Sequence, residues 1–345
     1  MIGRFSIRIK FGFILDMVLT KIKIMAVNKQ EYLSNVLETH RISHIDNLVS
    51  KFKEKRDEVK TALQSKYGTD IYTPFDSGSF KKHTAINTKF DLDIVVPFKR
   101  NPFETLEKMF LDLYEFLDNE YSEEATVRKQ KVSIGIEFDE DDEGDIVSLD
   151  IVPGRELNQD QYSDDNNLNL FVNENYGFLS KNSYIQTNIQ SQIDHIKAKE
   201  DERKIIRLLK IWKHSNKESF KSFLLELITI KAFKKKDITG NLWEKLEAVM
   251  EYIRDNVTDE NFKLKDPGNS NNDVMDTLEN WERNDLSNRM TTIIERINDI
   301  DENIKTYFPV NSDFEEEEKS SSNEGYGLKS GIATSSIPPT TQRFG

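Results

Sequence analysis

Three acidic residues stand where acid side chains are normally excluded. Asp91 and Asp93 flank Leu92 directly before the apolar run Ile94-Val95-Val96, and Asp150 lies inside Ser148-Leu149-Asp150-Ile151-Val152-Pro153. Alternate side chains of a strand share a face, so Asp91 and Asp93 point one way while Leu92 and Ile94 point into a core. Two neighbouring carboxylates repel unless a cation lies between them, and a hard dication with oxygen ligands meets that need. An aspartate inside a core strand, as at Asp150, asks for a partner for the same reason. Upstream, Asp76-Ser77-Gly78-Ser79-Phe80 follows a β-rich run and opens a short helix. A glycine there lets backbone amides approach a phosphate, and the Ser79 hydroxyl adds a bond. A triphosphate fits between that turn and the carboxylates, which points to metal-assisted phosphoryl transfer.

Other acidic clusters lack this setting. Asp139-Glu140-Asp141-Asp142 has no strand flanks and reads as a solvated turn. Asp299-Ile300-Asp301 lies in a helical stretch, where a spacing of two sends side chains to diverging faces.

The elements that hold these residues follow from hydrophobic spacing. Residues 29–66 carry apolar positions at helical intervals and predict a long amphipathic spine helix, broken near 41–43. Short β-rich runs occupy 71–75 and 92–98, Pro102 opens a helix to about Tyr121, and 131–138 with 146–152 predicts a hairpin. From about Tyr184 the signal is helical, over 185–198, 200–214, 220–234, 242–256 and 274–308. The expected fold is α+β, a mixed sheet with flanking helices followed by a helical lobe. Its expected boundaries are 1–28 for an N-terminal extension, 29–175 for the sheet domain, 176–310 for the lobe, and 311–345 for a flexible tail, acidic and then rich in Ser, Gly and Pro.

The 345-residue chain is 37% apolar and 32% charged, as in folded globular proteins. A net charge of −13 argues against strong binding of duplex nucleic acid, which needs a clustered cationic surface. The lack of cysteine excludes disulfides, thiolate zinc sites and cysteine nucleophiles, and fits a cytoplasmic protein. The five histidines are scattered, so any metal would be held by oxygen. The apolar run 11–15 is too short to span a bilayer and ends at Asp16, so no membrane association is expected. Met25 is the expected natural start, with residues 1–24 as upstream translation.

The Gly-Ser turn, the Asp-x-Asp strand and the later single-Asp strand resemble the nucleotidyltransferase palm shared with DNA polymerase beta. More narrowly, Gly78-Ser79-Phe80 with Thr84-Ala85-Ile86, the segment from Asp91 to Val96, and Leu149-Asp150-Ile151-Val152-Pro153 are similar to the CD-NTases. These are bacterial relatives of cyclic GMP-AMP synthase and oligoadenylate synthase in anti-phage signalling. The similarity extends to Arg207-Leu208-Leu209-Lys210-Ile211-Trp212-Lys213 and Ser222-Phe223-Leu224-Leu225-Glu226-Leu227, which look like that family's donor-site helices. It also reaches Asp266-Pro267-Gly268-Asn269, similar to a family loop before the last helix. His83 departs from the pattern, standing where such enzymes have glycine before the threonine.

The resemblance implies two Mg2+ ions, or Mn2+, held by Asp91, Asp93 and Asp150. It implies ATP and other ribonucleoside triphosphates as substrates, bound through Gly78, Ser79, Lys210 and Ser222. By residue type alone Lys210 reads first as a solvated helix lysine and Ser222 nearly as well as a helix-start residue, while Trp212 and Phe223 fall on apolar stripes and read as core. The implied product is a cyclic di- or trinucleotide second messenger, released with pyrophosphate and read by a nucleotide-activated effector protein. The terminal Gly345 is an expected attachment point for a ubiquitin-transfer-like conjugating partner. Two other readings stay open: a linear nucleotidyltransferase acting on RNA, protein or a small molecule, and an inactive nucleotide-binding scaffold.

Overall fold

The computed structural model describes residues 27–173 and 183–315. Nearly all of the expected N-terminal extension, nearly all of the expected tail and Gly345 lie outside the described residues. The expected spine is two helices, α1 (Lys29–Thr39) and α2 (Asp46–Tyr67), separated by a 3-10 turn at Ile42–Ile45. Leu33 and Val36 of α1 are buried in a helical core, whereas Val49, Phe52, Val59 and Leu63 of α2 are buried against the sheet.

After α2 come β1 (Phe75–Ser77), the one-turn helix α3 (Gly78–Lys81), β2 (Leu92–Phe98), α4 (Leu106–Tyr121), β3 (Ala125–Lys129), β4 (Ile134–Phe138) and β5 (Ser148–Glu156). The short helix α5 (Tyr162–Asp165), β6 (Leu168–Val172) and β7 (Ser183–Thr187) complete the sheet region. One seven-stranded sheet results, ordered β1-β2-β5-β4-β3, with β6 on β5 and β7 on β6. β2 and β5 run parallel, from Leu92 beside Leu149 to Phe98 beside Arg155, and the other described neighbours in this sheet are antiparallel.

One face of the sheet is dry. Leu92, Ile94, Val96, Phe98, Leu149 and Ile151 pack there with Met109, Phe110 and Leu113 of α4 and the apolar stripe of α2. Strand alternation then turns Asp93, Val95, Asp150 and Val152 to the opposite face.

The second half contains α6 (Ile189–His195), α7 (Glu200–Ser215), α8 (Ser222–Lys235) and α9 (Leu242–Asn256). A two-stranded β8 (Lys265–Asp266) and β9 (Asn269–Asp273), then α10 (Asn280–Asp299) and α11 (Ile304–Tyr307), follow. Their core includes Trp212, Leu224, Leu225, Met250 and Met290, together with the buried residues of α1. No helix among the described residues is long and apolar enough to cross a membrane.

Three local expectations need correcting. The helix placed at Pro102 begins at Leu106, because the Thr105 side chain accepts from the Lys108 amide and fixes the first turn there. Residues 183–187 are a strand, not helix: Tyr184 and Ile185 pair with Phe171 and Leu170, and tertiary pairing overrides the local helical spacing. The helix expected over 274–308 is interrupted, with a 3-10 turn at Val274–Thr277 before α10. The loop at Asp266-Pro267-Gly268-Asn269 joins β8 to β9 and also clasps the β7–α6 junction. Asp266 accepts from the Gly268 amide at 2.7 Å and from Gln192 Nε2 at 2.9 Å. A Cβ on Gly268 would stand 2.7 Å from the Asn188 carbonyl oxygen, which leaves no room for a side chain.

Candidate active site

Four residues line up across adjacent strands. Ser77 of β1 is opposite Asp93 of β2, Asp93 is beside Asp150 of β5, and Asp150 is opposite Gly135 of β4. Asp93 and Asp150 are therefore register neighbours on the face away from α2 and α4, and both are buried. Asp91 sits one residue before β2 on the same side by alternation. Asp76 alternates the other way. Its carboxylate accepts from Arg56 Nη1 at 2.9 Å and also from Lys60 Nζ, so it anchors β1 to α2.

Gly78 follows Ser77 directly and has φ +66°. A Cβ there would fall 1.5 Å from Asp93 Oδ2 and 2.5 Å from its Cγ. Glycine is thus required twice, by backbone conformation and by the carboxylate against it. The turn closes with the Thr84 amide donating to the Ser79 carbonyl at 2.9 Å.

Asp150 is oriented by residues that sequence reading overlooked. Gln130 Nε2 donates to Asp150 Oδ1 at 2.9 Å, and Ser133 Oγ donates to Gln130 Oε1 at 2.9 Å. Gly135 makes the space, since a Cβ on it would stand 2.4 Å from Gln130 Nε2. An isolated glycine within a strand signals such a close approach, and Ile134-Gly135-Ile136 carried that signal.

Lys210 of α7 is partly buried and places its ammonium on the loop after the turn, 3.1 Å from Thr84 O and 3.2 Å from Thr84 Oγ1. Burial pulls its pKa down to about 8, opposed by the negative charges of Glu226, Asp91 and Asp93. Ser222 is the first residue of α8, and Glu226 follows it on the same helical face. Trp212 is a buried core residue, and Phe223 is packed against that core.

His83 has φ +57°, the left-handed region that glycine enters without strain. The departure from the CD-NTase pattern therefore leaves a backbone of glycine type in place. His83→Gly is expected to stabilise the protein by about 0.5–1 kcal/mol, the left-handed penalty less the extra chain entropy of glycine. Thermal denaturation of the two proteins measures this, and a lower Tm for the variant would contradict it.

Asp91, Asp93 and Asp150 offer hard oxygen donors with no imidazole or thiolate, a set suited to Mg2+ or Mn2+. A separate acidic group, Asp141, Glu143 and Asp145, brings its carboxylate oxygens within 4.8 Å of one another. Lys51 Nζ already occupies it, at 2.6, 2.7 and 2.7 Å from the three carboxylates. That group is the solvated turn expected from the sequence, with a lysine as its counter-ion.

Among known proteins, no family model and no curated sequence matches the chain. Solved structures do. The CD-NTase CdnG of Bradyrhizobium diazoefficiens, in complex with GTP, aligns at TM-score 0.64 and 14% identity over 82% of this chain and 96% of that one. Escherichia coli CdnC with ATP aligns at TM-score 0.62 and 19% identity over 81% and 93%. The cyclic AMP-GMP synthase DncV of Vibrio cholerae, with nonhydrolysable GTP, aligns at TM-score 0.55 and 14% identity over 68% of each chain. With its mixed sheet, its helical lobe and these neighbours, the chain has the CD-NTase fold.

Proposed function

We propose that the chain is a metal-dependent nucleotidyltransferase that joins ribonucleoside triphosphates into a cyclic di- or trinucleotide second messenger, with release of pyrophosphate, in anti-phage signalling of the CBASS type. The observation that supports it most is the row Ser77, Asp93, Asp150 with Gly78 seated against the Asp93 carboxylate. Metal ions bound by Asp91, Asp93 and Asp150 would neutralise charge on the leaving pyrophosphate and lower the pKa of the attacking ribose hydroxyl. Gly78 and Ser79 bring the turn close to the phosphates, Gln130 holds Asp150 in one orientation, and Lys210 and Ser222 bind the donor triphosphate. The chain's part is positioning and electrostatics, with no side-chain base required.

The deciding experiment is incubation with Mg2+ and all four labelled ribonucleoside triphosphates, in parallel with Asp91→Ala plus Asp93→Ala, followed by mass identification of products. A phosphatase-resistant product absent from the variant supports the cyclase. No turnover until an acceptor is added supports a linear transferase. Nucleotide binding with no turnover under either condition supports the scaffold.

Lys210 adds a pH dependence. Its ammonium persists below pH 8 and is lost as pH rises through about 8 in the nucleotide-free protein. KM for the triphosphate is therefore expected to rise above that pH. Lys210→Met should raise KM at pH 7 by about 10–100-fold, the worth of a charge-assisted hydrogen bond, and flatten the profile. In the unfolded chain the proton is held to about pH 10.4, so the nucleotide-free fold gains stability as pH climbs from about 8 to about 10. The same variant should lose that gain in denaturant titrations.

A further inference from the structure

Lys82 and Glu226 form an ion pair across 144 residues of chain, Nζ to Oε1 at 2.9 Å, with both residues buried. The Lys82 ammonium also lies 4.8 Å from the centre of the Phe223 ring. Lys82 caps the C-terminus of α3, the helix that Gly78 and Ser79 open, while Phe223 and Glu226 belong to the first turns of α8. Lys210 of α7 grips Thr84 two residues further along. The loop is thus bolted to two helices of the lobe. Its flanks divide between the cores, with Phe80 and Phe90 packed on the sheet side and Ile86 in the helical core. Buried ion pairs are poor stabilisers beside apolar pairs of similar volume, so stability alone gives little reason for this one.

We propose that Lys82 and Glu226 are positioning residues: their buried pair fixes the Gly78–Ser79 turn relative to the start of α8, and so sets the gap in which donor phosphates lie. The role in turnover rests on the function proposed above, whereas the mechanical link does not. The test compares the parent with Glu226→Gln, Lys82→Arg and the apolar pair Lys82→Met plus Glu226→Leu.

The apolar pair is expected to melt no lower than the parent, yet to raise hydrogen exchange at the amides of Lys82 and Thr84 at least tenfold while the middle of α7 and α8 keeps its protection. Its kcat/KM should fall about 10–100-fold through kcat more than KM, as expected when reacting groups shift by about 1 Å. Glu226→Gln should lie between, and Lys82→Arg should recover most of both readouts. Unchanged local exchange in the apolar pair, or exchange raised uniformly across the protein, would overturn the link. Loosened amides with full turnover would overturn the positioning role. If the parent itself makes no product from any triphosphate, the proposed function fails, and the exchange readout still decides the link.

Discussion

Asp93→Asn is expected to lower nucleotide incorporation by about 10³-fold or more while leaving the fold intact, because losing one metal contact on a transferring phosphoryl group forfeits several kcal/mol. Asparagine keeps the shape of the side chain and removes one charge from a register-neighbour pair of carboxylates, Asp93 beside Asp150. Like charges that close destabilise each other when no cation is present. Adding Mg2+ should stabilise the parent in proportion to its occupancy and the variant hardly at all. Asp141→Asn is the control, since the Lys51 ammonium already sits among the three carboxylates of that turn, and it should leave turnover within about twofold. An active Asp93→Asn protein, or equal stabilisation of both proteins by Mg2+, would remove the metal centre from this site.

That site was legible in the sequence because its signal is local. Two aspartates spaced by two before an apolar run, and a third inside another such run, contradict the pattern of a core strand, and such contradictions mark candidate functional positions. The sequence could not show that the two strands run parallel and adjacent, in a register that puts Asp93 beside Asp150. Non-local pairing leaves no trace in local spacing, which is also why β3, β6 and β7 were missed and why Tyr184 and Ile185 read as helix. The Gln130–Ser133–Gly135 support of Asp150 was hidden for the same reason, apart from the one strand glycine. The break near residues 41–43 was visible, but its consequence was not: α1 and α2 look like one spine in sequence and serve separate cores. The Lys82–Glu226 pair joins the turn that opens at Gly78 to the helix that opens at Ser222, and neither segment taken singly shows that the two side chains meet.

Gly78→Ala should be nearly as damaging as the loss of a ligand, for a reason that can be isolated. Two costs combine at this position. The backbone at φ +66° costs an L-residue about 1–2 kcal/mol, and the new methyl would overlap Asp93 Oδ2 at 1.5 Å. Asp93 cannot retreat with its strand, because β2 is held by β1 on one side and β5 on the other. The carboxylate must therefore rotate, or the turn must lift away. Either movement is about the size that costs about 10²-fold in kcat/KM, and calorimetric titration should show weaker metal binding as well. Gly68 separates the two costs, having φ +50° with no atom within 4 Å of its notional Cβ. Gly68→Ala should lower stability by its own backbone penalty alone, about 1–3 kcal/mol at φ +50° and ψ −113°, with turnover kept. If Gly78→Ala merely matched Gly68→Ala, losing stability while keeping activity and metal affinity, the contact between turn and carboxylate would have no part in the chemistry.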